Sequence, residues 1–227
     1  MTKQANRAFF SEWTPDMAYV LGFWFADGWM SQPGRDAFIV FVCKDLDHLQ
    51  RIGQVMGAAQ KIYARKDGCY QLSIGSKQMW SDLYRLGGIP AKSLVARVPY
   101  VPPGFMRHFV RGFGDGDGTL YWETSPRRRP AMAMWGGVRF LEDIASVLDQ
   151  ETGVGVAAVR SYSGETPRIA YAGIKAKVLA KWLYAGAGLA LERKALIARQ
   201  FASWELSKFG WKSHAVTTPK MRRILDG

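Results

Sequence analysis

One stretch occurs twice in this chain. It reads Ala-Tyr-Val-Leu-Gly-Phe-Trp-Phe-Ala-Asp-Gly over Ala18–Gly28 and returns as His-Phe-Val-Arg-Gly-Phe-Gly-Asp-Gly-Asp-Gly over His108–Gly118, with the final aspartates, Asp27 and Asp117, 90 positions apart. The first copy is apolar all round from Ala18 to Ala26, the mark of a buried helix. Asp16 is placed to cap its start, and Gly28 to end it as a C′ residue. A carboxylate in the last turn of a helix faces the negative end of the dipole, at about 0.3–1 kcal/mol. The second copy repeats this at Asp117 and adds Gly112, Gly114 and Gly116, each about 1 kcal/mol worse than alanine in a helix. Such local conflicts mark functional sites. Ala18, Gly22 and Ala26 in one copy, and Gly112 and Gly116 in the other, recur at helical spacing and share a face. Small residues on a face let two backbones approach closely. Two helices packed there would bring Asp27 and Asp117 out at the same end, where their charges repel. A divalent cation resolves that conflict and makes a catalytic centre.

These runs resemble the paired motifs of the LAGLIDADG homing endonucleases in their single-chain, two-motif form. Val20–Gly28 and Val110–Gly118 align with the motif, and both keep its glycine at the third position and its Asp-Gly end. Phe25 stands where the motif has an earlier aspartate, which the second copy retains as Asp115. In the family the later aspartate is the metal ligand, so the resemblance implies that role for Asp27 and Asp117. A calcium loop starting near Asp115 is excluded: Leu120 and Pro126 stand where such a loop needs glycine and glutamate.

Lysine plus arginine outnumber aspartate plus glutamate 31 to 19, a net charge of +12. That excess points to a polyanionic partner, nucleic acid before membrane. With 227 residues and 48% hydrophobic content, the chain suffices for one large domain or two halves. Cys43 and Cys69 lack the spacing of a zinc site or disulfide framework and fit an intracellular, reducing compartment, cytoplasmic or organellar. No apolar leader opens the chain, and no run reaches the ~18 residues of a membrane span.

Taken in order, each half reads αββαββα. After the first motif helix come a hairpin turning at Gln32–Arg35, a helix over Asp45–Gly57, a hairpin around Lys66-Asp67-Gly68, and a helix from Ser76 to Leu86. A proline-rich connector leads to the second motif helix over Gly104–Asp117. The second half expects strands at Thr119–Glu123, Ala131–Trp135, Val156–Tyr162 and Arg168–Ala172. Helices are expected at Val138–Glu151, Ile174–Ala185 and Leu191–Trp204, with a basic, partly extended tail. Residues 1–98 form one half and 99–227 the other. The class is α+β, and the resemblance implies antiparallel, saddle-shaped sheets straddling duplex DNA, with the motif helices as a shared spine.

Two-stranded ribbons fit the major groove. Gln32, Arg35, Tyr63, Arg65, Lys66 and Gln71 are candidates to face DNA from the first sheet. The second sheet offers Tyr121, Glu123, Arg127, Arg128, Arg129, Arg160, Tyr162 and Arg168. Arginine reads guanine and glutamine reads adenine, although phosphate contacts are commoner than base contacts. Trp29 and Trp122 are expected to pack at the base of each sheet. Lys92 and Lys194 lie at matching places beyond the last helix of each repeat. They read either as solvated lysines or, as the resemblance implies, as basic groups approaching the cleavage centre. Family members often carry a glutamine near the end of the first hairpin, where this chain has Cys43 and Gly136. His48, His108 and His214 suggest neither ligand set nor triad.

The resemblance thus implies a monomeric endonuclease for a long, asymmetric DNA duplex, leaving 3′ overhangs. Asp27 and Asp117, with the carbonyls of Ala26 and Gly116, would bind Mg²⁺ or Mn²⁺. An intron maturase acting on RNA, and a DNA-binding regulator with a silent metal site, are the alternatives.

Overall fold

Helix α1 spans Pro15–Asp27, and its start is fixed by Thr14 rather than Asp16: the Thr14 hydroxyl accepts from Met17 N at 3.0 Å, with Pro15 opening the helix. Asp16 sits in the first turn, where a carboxylate suits the dipole. The residues from Met17 to Phe25 are all buried. The helix also ends differently from expectation. Gly28 has φ −108°, so it is extended and passes straight into a strand. Glycine is needed there because a Cβ would overlap the indole of Trp24. The computed structural model describes residues 6–34, 36–58, 62–92, 95–124, 128–205 and 217–227. Arg35 and Arg127, two of the candidate DNA-facing residues, lie outside them.

Packing divides the chain into two compact units, residues 1–116 and 117–227. The sequence repeat divides at 98/99, whereas packing groups most of the second motif helix, α4 (Pro103–Asp117), with α1. The reason lies in the glycines. A Cβ on Gly22 would collide with the carbonyl oxygen of Phe109, and one on Gly112 with the carbonyl oxygen of Tyr19. Farther along, a Cβ on Gly116 would overlap that of Ala26. Backbone therefore meets backbone along the seam. Tyr19 crosses it and donates to the buried carboxylate of Asp115 at 2.7 Å, while its hydroxyl also meets His48 Nε2 at 3.0 Å. Asp115 and His48 are thus joined in the core of this unit.

The first unit carries an antiparallel sheet in the order β1-β2-β4-β3, built from Gly28–Met30, Phe38–Cys43, Tyr70–Gly75 and Ile62–Ala64. Gly28, Phe41 and Leu72 pair across it, as do Met30, Ile39 and Ile74, and these residues face inward. Helices α2 (Leu46–Val55) and α3 (Lys77–Arg85) cover that face with Leu49, Ile52, Met79 and Leu83. Both start at side-chain caps, Asp45 accepting from His48 N and Ser76 from Met79 N.

The second unit has a sheet in the order β5-β6-β7, over Gly118–Trp122, Pro130–Trp135 and Arg168–Ala172. Helices α5 (Val138–Thr152), α6 (Ile174–Tyr184) and α7 (Glu192–Ala202) pack on it. The expected αββαββα pattern loses one strand here. Val156–Tyr162 forms only a bridge, in which Arg160 and Arg168 exchange backbone bonds of 2.8 and 2.9 Å. Gly155 takes φ 81°, and the Tyr171 hydroxyl accepts from Ala157 N at 3.3 Å, occupying a donor that a ladder would need. Within the described part of the tail, Pro219–Asp226 is a helix, α8, capped by Thr218 and anchored by buried Met221 on α5 and α6. The α+β class with two antiparallel sheets stands. Among the described residues no helix is long and apolar enough to cross a membrane.

Candidate active site

Asp27 is the last residue of α1 and Asp117 the last of α4. In the first unit the Asp27 Oδ2 lies 3.1 Å from the point a Cβ on Gly116 would occupy, so the carboxylate rests against the glycine that precedes Asp117. Ala26 and Asp27 are half-buried, as are Gly116 and Asp117. Carboxylates and backbone carbonyls are the hard oxygen donors that Mg²⁺ prefers, and each motif end by itself carries one of each kind. Among the described residues no three His, Cys, Asp or Glu side chains gather into a metal cluster.

A lysine sits at each motif end. In the first unit Lys92, 6% exposed, donates from Nζ to the carbonyl of Gly28, with its ammonium 4.6 Å from the centre of the Trp24 ring. In the second unit Lys194, 2% exposed, donates to the carbonyl of Gly118 at 2.6 Å. Neither is the solvated lysine that the sequence allows. Each is bonded to the carbonyl of the residue that follows a motif aspartate. Burying an ammonium is costly unless its donors are satisfied. Ala91, just before Lys92, takes φ 56°, a left-handed conformation costing a non-glycine residue roughly 1–3 kcal/mol. Strain of this kind collects at functional sites.

Alternation along the strands decides what each sheet shows to solvent. On the outer face of the first, Trp29, Val40 and Ser73 pair in one row, and Val42, Gln71 and Tyr63 in the next. Arg65 donates to Gln71 Oε1 at 3.1 Å, and Gln71 Nε2 donates to Ser73 Oγ at 2.9 Å. Arg65 also pairs with Asp67 at 3.0 Å. Gln32, Tyr63 and Lys66 are exposed. Trp29 departs from expectation: it is 47% exposed on this outer face rather than packed at the sheet's base.

The outer face of the second sheet is floored by alanine. Tyr121, Ala131 and Ala172 form one row, and Thr119, Ala133 and Ala170 another. Charge lies around that floor. Glu123 forms an ion pair with Arg129, and Arg128 sits 5.0 Å over the Trp122 ring. Arg160 bridges Arg168, and Tyr121 and Tyr162 are exposed. Trp122 does pack, edge-on to Phe201 at 5.0 Å. Sequence reading missed the Tyr19–Asp115–His48 network, whose only signal was an acid inside an apolar run.

No family model matches the sequence, and no curated protein matches it. Solved structures do. The chain is similar to the LAGLIDADG meganuclease I-AabMI bound to uncleaved DNA, at 14% identity and a TM-score of 0.58, over 95% of this chain and 99% of that one. It is similar to the LAGLIDADG homing endonuclease I-LtrWI bound to target DNA, at 11% identity and a TM-score of 0.56, over 97% of each chain. Full-length DUF199/WhiA from Thermatoga maritima matches at 14% identity and a TM-score of 0.54, over 90% of this chain and 68% of that one. The fold is therefore the LAGLIDADG fold.

Proposed function

We propose that this protein is a site-specific endonuclease of duplex DNA that cuts both strands of a long, asymmetric target and leaves 3′ overhangs. The observation that carries this reading is the repeated lysine: in each unit a buried ammonium is bonded to the carbonyl directly after the motif aspartate. A buried lysine serving one helix end is a packing solution. The same bond at both aspartate ends is the pattern expected of two equivalent cleavage centres, one per strand.

Asp27 and Asp117, with the carbonyls of Ala26 and Gly116, would hold Mg²⁺ or Mn²⁺. When bound, such an ion supplies a Lewis acid for the phosphodiester and lowers the pKa of its water. The chain's own part is positional. Each aspartate is fixed at a helix end, and each lysine keeps the following peptide in place while contributing positive charge near the charge that builds on phosphate. The net charge of +12 supports a polyanionic substrate. Arg65, Gln71 and Tyr63 on the first sheet, and the arginines around the alanine floor of the second, support groove contacts.

The test is selection of binding sites from a randomised duplex library, then cleavage by Asp27→Asn and Asp117→Asn. Each variant is expected to bind the selected duplex as the wild type does and to make no double-strand break. Chelation of divalent metal is expected to stop the wild type. Unchanged cutting by either variant overturns the assignment, and binding without any metal-dependent cutting by the wild type leaves a DNA-binding protein that is not a nuclease.

A further inference from the structure

We infer that Trp29 is a wedge that reads the deformability of DNA beside the scissile phosphate, an inference that rests on the endonuclease reading above. Trp29 is the only exposed tryptophan among the described residues. It lies two residues beyond Asp27, so its Cα is within about 7 Å of the aspartate's. Strand alternation turns its side chain to the outer face of the sheet, opposite Val40, which is itself only 1% exposed. The backbone beneath the ring is held on both sides. Lys92 binds the carbonyl of Gly28, and the Trp24 indole donates to the carbonyl of Trp29 itself at 3.3 Å. A large apolar ring is thus mounted on a fixed stretch of backbone and left facing solvent.

The second repeat has no such ring. The residue after Gly118 is Thr119, at the position matching Trp29. The lysine bond is common to both motif ends, whereas the ring belongs to one. A role in building the cleavage centre would call for it twice. A role in discriminating sequence calls for it wherever discrimination is made. Apolar side chains inserted at a base step unstack it and kink the duplex. The energy required depends on the step, and pyrimidine–purine steps unstack most readily. Trp29 therefore confers a preference for a flexible step next to the phosphate served by Asp27, and Thr119 confers none at the other.

The experiment compares wild type, Trp29→Thr and Trp29→Phe. Each is used to select duplexes from a library, and each is then mixed with the wild-type consensus carrying 2-aminopurine at successive central positions. Wild type is expected to enrich a pyrimidine–purine step on one side of the centre, disfavouring others by about tenfold, the usual scale for one poorly accommodated base pair. Its binding is expected to raise 2-aminopurine fluorescence at that step. Trp29→Thr is expected to lose both signals while keeping its preferences farther out and its thermal melt, and Trp29→Phe to recover part of each. If Trp29→Thr binds with the same central preference and the same fluorescence rise, this inference fails and the endonuclease reading stands. If the wild type enriches no duplex at all, that reading fails and this inference falls with it.

Discussion

At the end of α1 a lysine from a loop binds the carbonyl of Gly28, and at the start of β5 a lysine from helix α7 binds the carbonyl of Gly118. Different local structures deliver the same bond to the same place in each repeat. The outer sheet faces diverge instead. The first has four strands and a hydrogen-bonded chain running from Arg65 through Gln71 to Ser73. The second has three strands, an alanine floor, and arginines around it. On the proposed function, chemistry common to both strands of a duplex calls for equal motif ends, while an asymmetric sequence calls for unequal faces.

Breaking the motif seam should have the largest effect. Gly22→Leu would press a side chain onto the Phe109 carbonyl, and loss of the cooperative thermal transition is expected. Even Gly22→Ala should cost on the order of 1–3 kcal/mol. Gly104→Ala, with nothing near its Cβ, should leave stability unchanged or raise it by roughly 0.4–1 kcal/mol. Equal melts for the two alanine variants would remove the seam from the comparison.

Next are the lysines. Lys92→Met and Lys194→Met should each slow cutting by about 10²–10³-fold, as loss of one preorganised charge stabiliser does, without weakening DNA binding. Strand-specific nicking assays should show each variant impaired on a different strand. If one variant cuts both strands at wild-type rate, the two ends are not equivalent.

Smaller effects belong to the faces. Arg65→Ala and Arg168→Ala should each cost ~1–3 kcal/mol in binding and relax preference only within its own half-site. Uniform weakening across all sequences, with a shallower salt slope, would mark the altered arginine as a phosphate contact.

The smallest effect separates the motif helices themselves. His108 occupies the position that Ala18 has in the first copy. Burial, together with Arg111 and Arg107, pushes its pKa down to about 4. Between that value and the ordinary 6.5 the unfolded chain takes up a proton that the folded chain refuses. Stability should therefore be full above pH 6.5 and fall as pH drops toward 4. His108 is only partly buried, so the loss is on the order of 1 kcal/mol after solvent screening. His108→Ala should flatten melting temperature across this window, and an unaltered slope would assign the pH dependence elsewhere.

The seam was legible in the sequence because glycines four apart in an apolar run have few other uses in a helix. The reason for Gly28 was not legible. A C′ glycine and a glycine lying under an indole look alike until the fold brings Trp24 over it. The orientation of Trp29 was missed for a related reason: a strand's outward face depends on register, and a shift of one residue inverts it. Val156–Tyr162 had the composition of a strand, but tertiary competition for Ala157 N left it a bridge. Helix α8 has few apolar residues, and its Thr-Pro start was its clearest sign. The two lysines could be placed near the motif ends, but their burial comes from surrounding chain that no short motif records.

The reciprocal glycines set how such a molecule can change. Most tight contacts in a core can be relieved by shrinking the neighbour. Here the neighbour of Gly22 is the carbonyl of Phe109, and that of Gly112 the carbonyl of Tyr19, and no substitution removes a carbonyl. The seam therefore has no second-site suppressor of the usual kind. On the endonuclease reading, an engineer who retargets the protein can treat the outer sheet faces as an open alphabet and the helix pair as a fixed letter.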